Sequence, residues 1–202
     1  MFTGLVEEMG RIERVEPNGD GRRLWIAAER VLEDAFVGSS VAVDGCCLTV
    51  TSLSPRSFTV DAVPETLRLT TLGERIAGDA VHLERPVRAD GRMGGHFVQG
   101  HVDGVGQVLA VVEESPGRRI TFRVPGELQR FVAGKGSIAI DGVSLTVAAC
   151  EGDRCEIAYV PHTLESTHIG AYVAGRRVNL EVDLVARYLA RLLSETDTAR
   201  RT

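Results

Sequence analysis

The chain has 202 residues, 44% hydrophobic and 25% charged, with a formal net charge of −5. This profile excludes a disordered chain, and without a basic run interleaved with aromatics no nucleic acid is expected as a partner. Residues 1–8 lack the basic region and apolar core of a signal peptide and no apolar run reaches membrane-spanning length, so no membrane association is expected.

Leu5, Ile12 and Val15 alternate with polar residues over 3–16, and Pro17-Asn18-Gly19-Asp20-Gly21 follows. This reads as a strand, a turn and a return strand at Leu24-Trp25-Ile26. Residues 31–36 form a short helical or irregular connection, 41–50 a strand kinked at Gly45, and 57–63 a strand ended by Pro64. Leu67, Leu69 and Leu72 have helical spacing closed by Gly73, and 80–83 supply a last strand. Residues 88–95, polar and glycine-rich, read as a linker. The order then repeats: strands at 102–112, 120–124, 137–147, 155–160 and 177–182, with a short helix at 163–169. Beyond them Val185, Leu189, Leu192 and Leu193 recur at helical spacing, with Arg187, Arg191 and Glu195 on the other side. That amphipathic helix is either a strap over its own barrel or an oligomerisation helix.

The repeat is a duplication. Asp44-Gly45-Cys46-Cys47-Leu48-Thr49-Val50 returns 97 positions later as Asp141-Gly142-Val143-Ser144-Leu145-Thr146-Val147, and Val63-Pro64-Glu65-Thr66-Leu67 returns as Val160-Pro161-His162-Thr163-Leu164. An offset of 96 places Gly4 on Gly100 and Leu5 on His101 further upstream. Two copies do not make a solenoid, so each buries its own core. Short strands and glycine-rich turns suggest one closed antiparallel barrel per copy. The units are residues 1–97, with the linker at about 88–97, then 98–184, then a helix and tail at 185–202.

Between the copies Leu5 corresponds to His101, Gly38 to Lys135, Cys47 to Ser144 and Pro86 to Asp183, so the second copy holds most of the ionisable and hydroxyl groups. Cys46, Cys47, Cys150 and Cys155 have no metal-ligand or redox spacing, which suits a reducing cytoplasm. Strand alternation points one of Cys46 and Cys47 into the core. His96 and His101 lack a third ligand, so no metal is expected. Gly134-Lys135-Gly136-Ser137 lacks the spacing of a phosphate loop and reads as a turn, although Lys135 is the one lysine of the chain.

At these motifs the sequence resembles riboflavin synthase: Met1-Phe2-Thr3-Gly4-Leu5-Val6, the two Asp-Gly segments, Gly94-Gly95-His96-Phe97-Val98-Gln99-Gly100-His101-Val102 and the two Pro-x-Thr-Leu segments carry the likeness. The resemblance implies an all-β fold of two tandem six-stranded Greek-key antiparallel β-barrels with a C-terminal α-helix. It implies a homotrimer whose sites lie between the first barrel of one chain and the second of a neighbour. The implied reaction is dismutation of two 6,7-dimethyl-8-ribityllumazine molecules to riboflavin and 5-amino-6-(D-ribitylamino)uracil by four-carbon transfer. No cofactor is expected. One substrate loses a proton from its C7 methyl, and the other accepts a nucleophile at C7.

The inequality of the copies gives the expected catalytic residues His101, Lys135, Ser144 and Asp183, and the resemblance adds Cys47 to them. Substrate contacts are expected at Gly4, Leu5, Val6, Ser40, Cys47, Leu48, Thr49, Asp61, Ala62, Val63, Pro64, Glu65 and Thr66, with 61–66 and 158–163 implied by the resemblance. In the second copy the contacts are Gly100, His101, Val102, Lys135, Ser144, Leu145, Thr146, Ala158, Tyr159, Val160, Pro161, His162 and Thr163. A pteridine edge needs alternating donors and acceptors, which main-chain groups and the hydroxyls of Thr49, Thr66, Ser144, Thr146 and Thr163 can supply. The family has Glu where this chain has His162, which bears on the second pocket. The alternatives are a non-catalytic lumazine- or flavin-binding protein of the same shape, in which the polar set of the second barrel would be lost, and a flavin oxidoreductase barrel, for which no nicotinamide-binding domain is visible.

Overall fold

The computed structural model describes residues 1–199, with side chains to residue 194. β1 (Glu8–Asn18) and β2 (Gly21–Ala27) form a hairpin; a 3-10 turn at Arg30–Leu32 leads to β3 (Ser40–Val43), β4 (Cys46–Leu53) and β5 (Ser57–Ala62). After α1 (Pro64–Leu69) and a 3-10 turn at Thr71–Glu74, β6 (Ala80–Glu84) closes a barrel in the order β1-β2-β5-β4-β3-β6. The second half repeats this with β7 (Gly104–Glu114), β8 (Gly117–Arg123), α2 (Gly126–Gln129), β9 (Ser137–Ile140), β10 (Val143–Glu151), β11 (Arg154–Tyr159), α3 (Pro161–Ser166), a 3-10 turn at His168–Ala171 and β12 (Arg177–Val182). Its order, β7-β8-β11-β10-β9-β12, is the same Greek key. Closure leaves no sheet edge. α4 (Leu184–Ala199) follows.

Alternation along the strands fills each barrel separately. Ile12, Leu24, Ile26, Phe58, Val60 and Leu83 pack inside the first, and Val108, Ile120, Phe122, Ile157, Val178 and Leu180 inside the second. Burial of such a side chain stabilises by about 1.5–3 kcal/mol.

The expected single strands at 41–50 and 137–147 are each a hairpin. Asp44 and Gly45 have φ of 45° and 77°, and Asp141 and Gly142 have 44° and 80°, the left-handed pair that a two-residue turn between antiparallel strands requires. This break supplies the sixth strand of each barrel. The expected helices at 65–72 and 163–169 stop early. Thr70 is extended, and its hydroxyl donates to Thr66 O (2.7 Å) and accepts from Leu72 N (3.2 Å), so a 3-10 turn restarts after it; Thr167 does the same with Thr163 O and Ile169 N.

The expected strands from residue 3 and from residue 102 begin later, at Glu8 and Gly104. Side chains satisfy the preceding amides instead of a ladder. Thr3 N and Gly4 N donate to the Glu84 carboxylate at 2.7 and 3.1 Å, and Gln99, Gly100 and His101 N donate to that of Glu181 at 2.6, 2.9 and 3.0 Å. The strap reading of the C-terminal helix also fails, because α4 leaves Val185, Tyr188, Leu189, Leu192 and Leu193 between 54% and 64% exposed.

Candidate active site

The two short stretches held by Glu84 and Glu181 cross between the barrels. Gly4, held by the last strand of the first barrel, accepts at its carbonyl the N–H of Ser144 in β10 of the second (2.8 Å). Gly100, held by the last strand of the second barrel, accepts the N–H of Cys47 in β4 of the first (2.8 Å). Val6 accordingly packs on the core of the second barrel and Val102 on that of the first. Glycine is required at both crossings: φ is 77° and 78°, and an added Cβ would sit 2.6 Å from the Cβ of Ser144 or of Cys47. The strands expected from residues 3 and 102 therefore do not begin with Gly4-Leu5-Val6 or with Val102. Each crossing stretch instead lies against β10 or β4 of the other half.

This exchange sorts the expected residues into two groups. Beside Cys47, which is half-buried, lie Gly100, His101 and Val102, together with Leu48, Thr49 and Ser40, which faces Thr49 across the β3–β4 ladder. Leu48 points into the core, whereas Thr49 and His101 are exposed. Residues 61–66 follow from β5, with Ala62 buried and Val63, Pro64 and Glu65 exposed. Asp61 is committed to Arg23 by two bonds of 2.6 and 2.7 Å, and Glu65 to Arg68.

Beside Ser144 lie Gly4, Leu5 and Val6, then Leu145 and Thr146, with Lys135 in the turn before β9, where φ is 68° and its N–H donates to Val147 O. Ala158 and Val160 are exposed while Tyr159 is buried. Pro161, His162 and Thr163 open α3; His162 is exposed and its carbonyl accepts Ser166 Oγ. Asp183 accepts the N–H of Val185 at the start of α4. Of the five expected catalytic residues, Cys47 and His101 thus share one side, Ser144 and Lys135 lie in the second barrel, and Asp183 stands where β12 passes into α4. A cavity of about 600 Å³ is lined by Thr3, Leu5 and Val6 together with Glu7, Glu84 and Arg85. A smaller one of about 240 Å³ includes Ser40.

Sequence reasoning missed the residues that fix this geometry. Burial pushes the Glu84 carboxyl up to about 6 against the N–H donors that favour its charged form, and burial raises Glu181 similarly. Their signal was a glutamate following a leucine near the end of the last strand in both copies, at Leu83-Glu84 and Leu180-Glu181. Between the barrels, Gly45 and Gly142 meet so closely that a Cβ on Gly45 would lie 2.5 Å from Gly142 N.

Around that contact the turns lock together. His82 N donates to Asp44 Oδ1 (2.8 Å) and Asn179 N to Asp141 Oδ1 (2.6 Å). The His82 ring bonds Asp141 O through Nδ1 (2.7 Å) and accepts His168 N–H at Nε2 (3.0 Å). Asn179 does likewise, donating to Asp44 O (2.8 Å) and accepting Thr71 N–H (2.7 Å). Since Nε2 of His82 is an acceptor, its proton is on Nδ1 and the ring is neutral. Burial and the neighbouring His168 lower its pKa to about 3.

Arg75 pairs with Asp44 at 2.6 Å, and Tyr172 OH donates to Asp141 at 2.5 Å. Burial alone would raise both carboxyls. For Asp44 the His168 bond and the Arg75 charge outweigh it and the pKa falls, whereas Asp141, beside the Asp44 charge, is raised. Asp44, His82 and His168 bring ligand-type atoms within 4.8 Å of one another. Both His82 nitrogens and the His168 Nε2 are already engaged, and Arg75 brings a positive charge, so the cluster is suited to joining the barrels rather than to holding a cation.

Residues 3–86 and 99–183 each match the lumazine binding domain family. The riboflavin synthase of Mycobacterium tuberculosis (strain H37Rv) is 44% identical over 197 residues, covering 96% of this chain and 98% of that protein. That of Bacillus subtilis (strain 168) is 40% identical, covering 98% and 92%. Among solved structures, LumP complexed with riboflavin superposes with a TM-score of 0.84 at 28% identity, covering 90% of this chain and 99% of that one, and LumP complexed with 6,7-dimethyl-8-(1'-D-ribityl) lumazine superposes with 0.82.

Proposed function

The chain belongs to the riboflavin synthase family, and from that premise we propose that its two unlike strips bind the two substrate molecules of the family's reaction. The enzyme is a transferase. Two molecules of 6,7-dimethyl-8-ribityllumazine dismute by four-carbon transfer to riboflavin and 5-amino-6-(D-ribitylamino)uracil. One molecule is placed at Cys47, Thr49, Asp61–Thr66 and Gly100–Val102, the other at Ser144, Thr146, Lys135, Ala158–Thr163 and Gly4–Val6. The observation that carries this reading is the reciprocal crossing of Gly4 to Ser144 and Gly100 to Cys47. It gives each barrel the same shelf of backbone groups for a flat heterocycle, furnished with different side chains. The cavity of about 600 Å³ shares Thr3, Leu5 and Val6 with the second strip, and charged residues line the rest of it.

Both strips are open shelves on a single chain, and reaction needs two rings brought face to face. The exposed apolar stripe of α4 supports a homotrimer that stacks the first barrel of one chain on the second of the next. The four free thiols support a cytoplasmic setting. Incubating the purified chain with the lumazine alone and following riboflavin tests the reaction. Formation without added metal or nucleotide is the expected result, and binding without turnover would favour the non-catalytic alternative. Truncation before Val185 is expected to give an inactive monomer by sedimentation; an active monomer would remove the shared site.

A further inference from the structure

His96 lies in the glycine-rich segment between the barrels, yet it is not a free linker residue. Its N–H donates to Thr3 O (3.2 Å), and its ring Nδ1 is 2.7 Å from Ser144 Oγ. Gly94 and Gly95 make this approach possible, since a Cβ on Gly94 would lie 2.5 Å from Leu5 Cδ1 and one on Gly95 would lie 2.8 Å from Ser144 Oγ. Among the described residues no histidine nitrogen bonds the thiol of Cys47, the counterpart of Ser144. The segment therefore gives one of two matched positions an imidazole and withholds it from the other.

We propose that His96 is a positioning residue that takes, through Ser144, the proton lost from the C7 methyl of the lumazine bound at the second barrel. This rests on the reading above, which places one substrate at Ser144, and it assigns proton removal to that pocket. With the imidazole proton on Nε2, Nδ1 accepts the Ser144 hydroxyl. In the step the methyl C–H bond breaks and its electron pair passes into the heterocycle as the exomethylene anion. The proton forms a new O–H bond on Ser144, and the original hydroxyl proton moves to Nδ1. Nothing is oxidised or reduced, and the proton is available for return later in the cycle. Burial lowers the His96 pKa, with the charge of Asp183 acting against it, so the base form is favoured at neutral pH. Nε2 is buried and has no partner among the described residues, so a second hydrogen bond does not tie the ring to the fold.

The test compares His96→Asn, His96→Ala and Cys47→Ala in the full chain, using ordinary lumazine and lumazine trideuterated at the C7 methyl. Asparagine can keep a hydrogen bond at the Nδ1 position but cannot carry the proton. Both His96 variants are expected to bind riboflavin as the parent does, to keep KM within a few-fold, and to lose about 10²–10³-fold in kcat. They should show a larger deuterium effect on kcat, and Cys47→Ala should not. Near-parental kcat in His96→Asn would overturn the proposal, since the bond would then matter only as a tie. An unchanged deuterium effect would also overturn it, as would loss of riboflavin binding in both His96 variants. A parent chain that forms no riboflavin at all would instead remove the functional reading, and this inference with it, before any variant is compared.

Discussion

Cys47 and Ser144 sit at the same place in their barrels, each with its N–H on a glycine carbonyl from the other half, but among the described residues only the side chain of Ser144 is hydrogen-bonded to an imidazole. At the joint between barrels, His82 and Asn179 also occupy equivalent places, and there the two different side chains make the same pair of bonds. The first pair keeps its backbone and changes its chemistry; the second changes its chemistry and keeps its bonds. Duplicated positions whose work is geometric accept any side chain with a donor and an acceptor at the right spacing. Positions facing the proposed substrates have diverged in reactive group, as a reaction between two identical molecules in unequal roles requires.

The largest effect is expected where the halves are most alike. Gly45→Val places a branched side chain at φ 77° against the Gly142 backbone and should cost about 3–5 kcal/mol from strain and overpacking combined. Gly142→Val should cost as much. Gly19→Ala, at φ 60° with nothing within 4 Å, should cost only about 1 kcal/mol. Urea denaturation of the three variants checks the symmetry of the contact, and a large difference between the first two would break it.

Next comes the reactive pair. Ser144→Ala is expected to lower kcat by about 10²-fold or more, as loss of an acid–base group does, and Cys47→Ala by much less. Equal losses would mean that the two pockets do equivalent chemistry. A smaller effect attends the carboxylates. An amide nitrogen cannot accept an N–H, so Glu84→Gln and Glu181→Gln should each cost about 1–3 kcal/mol. Glu84→Gln should weaken binding at the Ser144 strip and Glu181→Gln at the Cys47 strip, the reverse of what sequence position suggests. The Glu84 pKa is raised in the fold, so its contribution is present below pH 4.5 and lost as pH rises through about 6. Glu84→Gln should lack that slope when stability is compared at pH 4.5 and pH 7.

Much of this was legible in the residues, because the repeat at 97 positions exposes the barrel count and aligns the strands in pairs. The Asp44-Gly45 turn is visible in the sequence but reads as a kink, since the apolar runs Val41-Ala42-Val43 and Cys46-Cys47-Leu48 flank it directly and hide the change of direction. The exchange of residues 4–6 and 100–102 between halves was not legible. Backbone bonds to Cys47 and Ser144 make it, and these leave no mark on side-chain pattern except a glycine with many possible reasons. The sequence marks His96 as part of a family motif and as half of an absent metal pair, and neither gives it a partner. Its bond to Ser144 joins residues 48 positions apart through a segment whose composition reads as linker.

The smallest expected effect sharpens the comparison at the joint. If the work of His82 is only to donate to Asp141 O and accept from His168 N–H, then His82→Asn, which copies what Asn179 does in the other half, should stay within about 1 kcal/mol of the parent at pH 7. His82→Ala leaves both backbone groups unpaired in a fully buried place and should cost about 3 kcal/mol or more. The acid response should separate the parent from His82→Asn. The folded His82 pKa is depressed to about 3 from an ordinary 6.5, so the unfolded chain takes up the proton first. Its contribution is therefore whole above pH 6.5 and lost as pH falls toward 3. His82→Asn removes that proton uptake and should hold more of its stability between pH 6 and pH 4 than the parent does. Urea midpoints at the two pH values decide the matter. A cost in His82→Asn equal to that of His82→Ala would mean that the ring itself is needed, through its stack on His168 at 3.6 Å, and that the two halves of the joint are not interchangeable.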